Sequence, residues 1–180
     1  MEPAVPRMDG IRLSLRLVMP DDAAYIHGLR MDPAYNSHLS TVSGTVEDQC
    51  SWIEAYKARE GEGSEYYFVI ERKDGVRCGV VRLYDIKNDE FTWGSWILDH
   101  NKPQKAALES AVLSFEFGFY TLGLSMANVD VRERNTHAAA FYRRLGMTET
   151  HRTKQDIFFV YPRARFDADL THHIKMLSEI

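Results

Sequence analysis

Asp130-Val-Arg-Glu-Arg-Asn-Thr-His-Ala-Ala-Ala-Phe-Tyr-Arg-Arg-Leu-Gly-Met147 is the stretch from which the fold is read. It is entered through Ala127–Arg132, which has the β-rich, partly alternating pattern of a strand. Asn135 is placed to cap a helix, because its side chain can accept from an orphan N–H one turn on. Ala138, Phe141, Tyr142 and Leu145 follow at helical spacing, and Gly146 stands where a helix takes a left-handed exit. The residues therefore predict a strand, a short capped helix and a glycine exit, with a tyrosine near the helix end. A helix that simply packs Phe141 and Leu145 fits the same pattern.

Upstream, Ile11, Leu13, Leu15 and Leu17 alternate with polar neighbours as a half-buried strand does, after a loose tail at Met1–Asp9. Pro20-Asp21-Asp22 opens a helix to about Met31 that buries Ala23, Ile26 and either Leu29 or the Arg30 stem. Residues 32–44 are polar and turn-rich. Thr45-x-x-Asp48 resembles a capping box and starts a helix carrying Trp52, Ile53 and Tyr56. Three strands follow, Tyr66–Glu71, Val76–Tyr84 and Phe91–Leu98, the first two joined by Asp74-Gly75. Gly79 and Gly94 mark bulges or close approaches. From Asn101 to Leu122 the period becomes helical, with Leu108, Val112, Phe115, Phe119 and Leu122 on one stripe and Leu113, Phe117 and Tyr120 on another. After the 130–147 unit, His151–Tyr161 reads as one strand or a pair, and 164–180 as a final helix or a strand and helix. Early hairpins followed by a late βαβ unit predict an α+β fold: one domain over residues 1–180, core about 11–161 and C-terminal extension 162–180.

Bulk properties narrow the function classes. A chain of 180 residues is long enough for a real core. Its 44% apolar and 27% charged residues fit a globular chain rather than a disordered one. The net charge of −4 argues against a nucleic-acid binder that relies on a broad basic face. Met1–Gly10 holds no apolar run of the kind a signal peptide needs, and no uncharged stretch approaches the roughly 20 residues of a spanning helix. A cytoplasmic protein with no membrane partner is expected, with Cys50 and Cys78 as buried thiols. His172-His173 face different ways on a helix, so no metal site is expected.

Asn135-x-x-Ala138-x-x-Phe141-Tyr142-x-x-Leu145-Gly146-Met147 resembles the late signature of the GCN5-related N-acyltransferases, and the element order is theirs as well. The resemblance implies a central mixed, largely antiparallel sheet flanked by helices. It implies acetyl-CoA or another short acyl-CoA as co-substrate, without a metal, and a small primary amine as acceptor. It places Asn135 and Tyr142 beside the coenzyme A arm, with Tyr142 protonating the departing thiolate, and it assigns backbone N–H groups of Trp96, Ile97 and Leu98 to the thioester and pantetheine. The pyrophosphate loop corresponds to Lys102-Pro103-Gln104-Lys105-Ala106-Ala107, with Asn101 as helix cap. Lys105 stands where the family carries a glycine. Either Lys102 and Lys105 lend charge to the phosphates, or the loop has lost coenzyme A. Lys102 to Ser110, Phe117 to Leu124 and the Asp130-Val-Arg run also resemble the branch that acylates nucleotide-linked amino sugars. Protein N-terminal acetylation and a non-catalytic coenzyme A-binding module are the alternatives. For the general base the candidates are Glu109, Glu133, His38 or a water chain, and His38 also marks an acceptor wall in the 32–44 loop. Oligomeric state stays open, a homodimer included.

Overall fold

A computed structural model of the protein describes residues 6–38 and 44–179. One eight-stranded sheet runs through it, formed by β1 (Arg7–Asp9), β2 (Leu13–Leu17), β3 (Tyr66–Arg72), β4 (Arg77–Lys87), β5 (Glu90–Leu98), β6 (Met126–Arg132), β7 (Thr148–Arg152) and β8 (Asp156–Pro162). Their spatial order is β1-β2-β3-β4-β5-β6-β8-β7. Every neighbouring pair is antiparallel except β5 and β6. Six helices cover the sheet: α1 (Ala23–Met31), α2 (Pro33–Asn36), α3 (Val46–Gly61), α4 (Ala106–Glu116), α5 (Thr136–Leu145) and α6 (Arg163–Ser178). A π-helical turn, Phe117–Thr121, extends α4.

Strand alternation sorts the core into two layers. Tyr67, Val69, Val80 and Ile97 pack with Ile26, Leu29, Ile53 and Tyr56 of α1 and α3. Phe68, Ile70, Val81 and Trp93 face the opposite side, against Phe115 and Phe119 beside Phe166 and Leu177 of α6. The segment read as an extension beyond residue 161 is thus a helix whose Phe166 is fully buried. The loose tail expected before residue 10 contains β1, paired with β2, and the turn-rich 32–44 segment contains α2. Residues 39–43 of that segment lie outside the described residues. Thr45 and Asp48 form the expected capping box, their mutual N–H bonds measuring 2.9 and 3.2 Å. Tyr120, read as part of a buried stripe, is exposed, because the π-helical turn changes the rotation per residue before that stripe ends. Cys78 is buried and its thiol is pushed up to about 12, chiefly by that burial; Cys50 is only half-buried.

One buried ion pair locks the start of α1 to the sheet. The Asp22 carboxylate, 3% exposed, accepts from both Arg16 Nη atoms at 2.9 Å, from the Met19 N–H at 2.8 Å and from Arg77 at 3.1 Å. Burial opposes its ionisation, but these donors outweigh it and hold the carboxyl below its usual range. Asp22→Asn should cost about 2–4 kcal/mol at pH 7, the lower end reflecting solvent screening at the more exposed Arg77. A depressed carboxyl contributes stability above its unfolded pKa of about 3.9 and loses it as pH falls further. The gap between variant and wild type in denaturant titrations should therefore narrow below about pH 4.

Candidate active site

The site begins with a fault in the sheet. The parallel pairing of β5 with β6 covers only Glu90, Phe91 and Thr92 against Met126, Ala127 and Asn128. Beyond Thr92 the two strands diverge, while β5 stays paired with β4 and β6 with β8. Between the Val80–Ile97 and Arg82–Gly94 pairs, Ser95 and Trp96 together oppose the single Val81, with Ser95 at φ 49°. That bulge turns β5 away from β6. Glycine is required nearby, since a Cβ at Gly79 would lie 2.3 Å from the Ile97 carbonyl oxygen. The splay leaves the β5 edge from Trp96 to Leu98 facing open space instead of a strand.

A cleft of about 610 Å³ fills the gap. Trp96, Ile97, Leu98, Lys102 and Ala107 line it from β5 and the loop that follows. Asn135 and Tyr142 line it from the α5 side, and His38 from the end of α2. These eight residues, singled out from the sequence, therefore converge, whereas Lys105 and Ala106 are not among the lining residues. Glu109 is no base: it is buried, and its carboxylate accepts from the Arg12 and Leu13 N–H groups at 2.9 and 2.6 Å, which fixes α4 to β2. Glu133 is not among the lining residues either.

Lys105 shows why a glycine position can tolerate another residue. It is the N-cap of α4, at φ 62° and ψ 17°, the left-handed region that glycine enters without strain. Helix α4 starts at Ala106, so Asn101 is not its cap; the Asn101 N–H instead donates to Asp99 at 2.8 Å. The Lys105 ammonium bonds the carbonyls of Met176 and Glu179 at the end of α6. Its charge is directed away from the cleft, contrary to the expected phosphate contact by its side chain. Of the two lysines in this loop, Lys102 is the one that lines the cleft.

Tyr142 combines burial with access. The Asn135 side chain accepts from Ala138 N–H at 3.2 Å and starts α5; Gly146, at φ 120°, ends it. The helix buries Ala139, Tyr142 and Leu145, while Phe141 is only half-buried, its ring 5.4 Å from that of Trp96. The Tyr142 ring meets Trp93 and Phe159 edge-on at 5.9 and 5.8 Å. The ring is 6% exposed, and its phenol is pushed well above its ordinary value, first by burial and then by the Asp130 carboxylate. It stays protonated at neutral pH, the state required of a proton donor. Trp93 and Trp96 are sewn to α4 by hydrogen bonds to Ser114 and Ser110 at 2.8 and 3.1 Å.

Alternation on β6 sends Val129 and Val131 into the core and Asp130 to the other face, a carboxylate that motif reading passed over. Asp130 lines the cleft and has no ion-pair partner among the described residues. Although solvent reaches it, the surrounding protein removes part of its hydration, and Asp156 adds repulsion; both raise its carboxyl above the usual range. Asp156 itself pairs with Arg132 at 3.6 Å. Tyr67 and Arg82, register partners on β3 and β4, continue this wall with Tyr84 and Arg30.

Comparison with known proteins follows the same lines. The family model for the acetyltransferase (GNAT) domain matches residues 12–148. The structure of apo FdhC, a nucleotide-linked sugar GNAT, is 36% identical over 91% of this chain and 93% of that one, with a TM-score of 0.84. Spermidine N-acetyltransferase from Vibrio cholerae, in complex with CoA and spermine, is 18% identical over 86% and 98%, with a TM-score of 0.76. RimJ from Mycobacterium smegmatis, in complex with CoA-disulfide, is 18% identical over 92% and 88%, with a TM-score of 0.79. The last two likenesses concern the fold alone. No curated protein sequence matches the chain.

Proposed function

The chain belongs to the GNAT acetyltransferase family, and from that premise we propose that it moves an acetyl or short acyl group from coenzyme A onto the amino group of a nucleotide-linked sugar. The family makes it an acyl-CoA-dependent N-acyltransferase; the acceptor is the added step. The observation that carries it is the division of one cleft between a thioester side, on the splayed β5 edge with Tyr142, and an acceptor wall bearing both carboxylates and guanidinium groups. Arg30, Arg82 and Arg132 outnumber Asp130 and Asp156 on that wall, a lining that suits an acceptor with one amine and negative charge elsewhere better than a polycation. The 36% identity to a nucleotide-linked sugar GNAT, across nearly the whole of both chains, supports the same acceptor.

The reaction needs a neutral amine, a polarised carbonyl and a protonated leaving sulfur. In our reading, β5 N–H groups around Trp96, Ile97 and Leu98 hold the thioester oxygen and the pantetheine. Asp130 accepts the proton as the C–N bond forms, and Tyr142 gives its proton to sulfur as the C–S bond breaks. Lys102 and the N–H groups of Lys105, Ala106 and Ala107 hold the pyrophosphate, and Asn135 flanks the arm. His38 borders the acceptor. Lys102→Glu should weaken acyl-CoA binding by about tenfold in calorimetry at low salt, and by less as salt rises.

Mass spectrometry of reactions with acetyl-CoA and separate amines tests the acceptor. Product from a nucleotide-linked amino sugar supports the reading. Product confined to a polyamine or a peptide N-terminus would replace it, and tight coenzyme A binding without product from any amine would leave a binding module.

A further inference from the structure

Two arginines on the acceptor wall are under-neutralised. Arg30, in the last turn of α1, has no salt bridge among the described residues, and its Nε is buried without a hydrogen-bond partner. Arg82, on β4, has an equally orphaned Nε. Among the described residues its one carboxylate contact is Glu65 at 3.5 Å, and Glu65 already accepts from Arg59 at 3.3 Å. One carboxylate thus serves two guanidinium groups while a third has none. Leaving buried charged donors unpaired is costly, and the cost falls when an anion arrives to share them.

The surroundings hold these guanidinium groups in place. Arg82 lies over the Tyr84 ring at 4.1 Å and near the Trp52 and Tyr67 rings at 5.6 and 6.0 Å. Tyr67, 2% exposed, is the register partner of Arg82 and lines the cleft together with Arg30. Stacking of this kind fixes the plane of a guanidinium and keeps its fork presented for bidentate contact with phosphate oxygens. The pair belongs to α1 and β4, whereas the coenzyme A phosphates are assigned to Lys102 and the start of α4. Tyr84 lies under Arg82, and the Asp130 carboxylate acts on both Tyr84 and Tyr142, which connects this pair to the reacting end of the cleft.

We propose that Arg30 and Arg82 form a second anion subsite, which grips the diphosphate of the acceptor while its amine points to Asp130. This rests on the nucleotide-linked sugar reading. An acceptor with an amine at one end and a diphosphate at the other matches a wall that is acidic near Tyr142 and basic near Tyr67, so the two charges together fix which amine is presented.

The test uses protein saturated with coenzyme A, so that the first phosphate site is filled, and titrates inorganic pyrophosphate, uridine diphosphate and thymidine diphosphate by calorimetry. At least one of the three should bind wild type in a salt-dependent way. Arg30→Met should weaken that binding at least tenfold and leave coenzyme A affinity unchanged; should Arg30→Met fail to fold, Arg30→Gln carries the same comparison. Equal binding by variant and wild type, or no binding of any probe once coenzyme A is saturating, would overturn the subsite. Steady-state kinetics separate this inference from its premise. If nucleotide-linked amino sugars are acetylated with the same KM by both proteins, the subsite falls and the acceptor reading stands. If the diphosphates bind through Arg30 but no nucleotide-linked amino sugar is acetylated, the acceptor reading falls and the subsite stands.

Discussion

Tyr142→Phe should lower turnover by about 10- to 10⁴-fold while melting temperature and acyl-CoA affinity barely move. The substitution keeps the ring that meets Trp93 and Phe159 edge-on and removes only the hydroxyl. In the proposed mechanism, folding and cofactor binding use the ring, and only the departing sulfur uses the proton. Burial and Asp130 both keep the phenol protonated, so the donor is present across the neutral range. A phenol is intrinsically a weaker acid than a thiol, roughly pKa 10 against 8.5, so full transfer to a free thiolate is uphill. The proton helps by moving as the C–S bond breaks, and its contribution shrinks where the thiolate leaves readily by itself. That sets the lower end of the range. Single-turnover rates with acetyl-CoA measure the chemical step directly, and wild-type rates across the pH range would reduce Tyr142 to packing.

The elements with strong periodicity could be read from the sequence because one physical signal dominated each. Asn135, the spacing of α5 and Gly146 fixed a helix with both ends marked, and both ends lie where those signals put them. Which face of that helix is buried could not be read, because Phe141 and Tyr142 are both large and aromatic; Trp93 and Phe159, distant in sequence, enclose the Tyr142 ring. Lys105 misled for a similar reason. Its charge suggested a phosphate contact, but its position takes the left-handed backbone of a glycine, and the end of α6 supplies carbonyls for its ammonium. That contact joins residues 105 and 176, and no local pattern encodes it. Short elements were missed where pairing rather than propensity makes them: β1 has three residues and exists because β2 pairs with it.

The acceptor wall shows the same limit at the level of function. Arg30, Tyr67, Arg82 and Asp130 come from α1, β3, β4 and β6, each an unremarkable polar residue in its own segment. They line one cleft: Tyr67 and Arg82 are brought together by the pairing of β3 with β4, and the cleft opens where β5 leaves β6 after Thr92. The 135–147 motif covers only the side of the cleft proposed for coenzyme A. The wall proposed for the acceptor is built from side chains of one helix and three strands, which leaves no contiguous signature.

Asp130→Asn should be the other strongly impaired variant, with kcat/KM for the acceptor falling by about 10²- to 10⁴-fold and acyl-CoA affinity unchanged. Asp130 lines the cleft without an ion-pair partner among the described residues, whereas Asp156 is held by Arg132 and Glu109 by the β2 backbone. Partial burial, and then Asp156, raise its carboxyl, which makes it a stronger base than an ordinary aspartate. The sign of the pH effect follows. A general base works when deprotonated, so wild-type kcat/KM should fall on the acid side as pH drops through the raised value. Asparagine cannot titrate, so the variant should lose the Asp130 contribution to that limb, leaving the ionisation of the amine itself. The two effects separate in pH profiles taken with acceptors of different amine basicity: the amine limb shifts with the acceptor, and the Asp130 limb does not. An Asp130→Asn profile that keeps both the wild-type rate and both limbs would remove Asp130 from proton transfer. Asp130→Glu supplies the control for charge without position. It retains the carboxylate but moves it by one methylene, and recovery of the acid limb with only partial recovery of rate is the expected outcome.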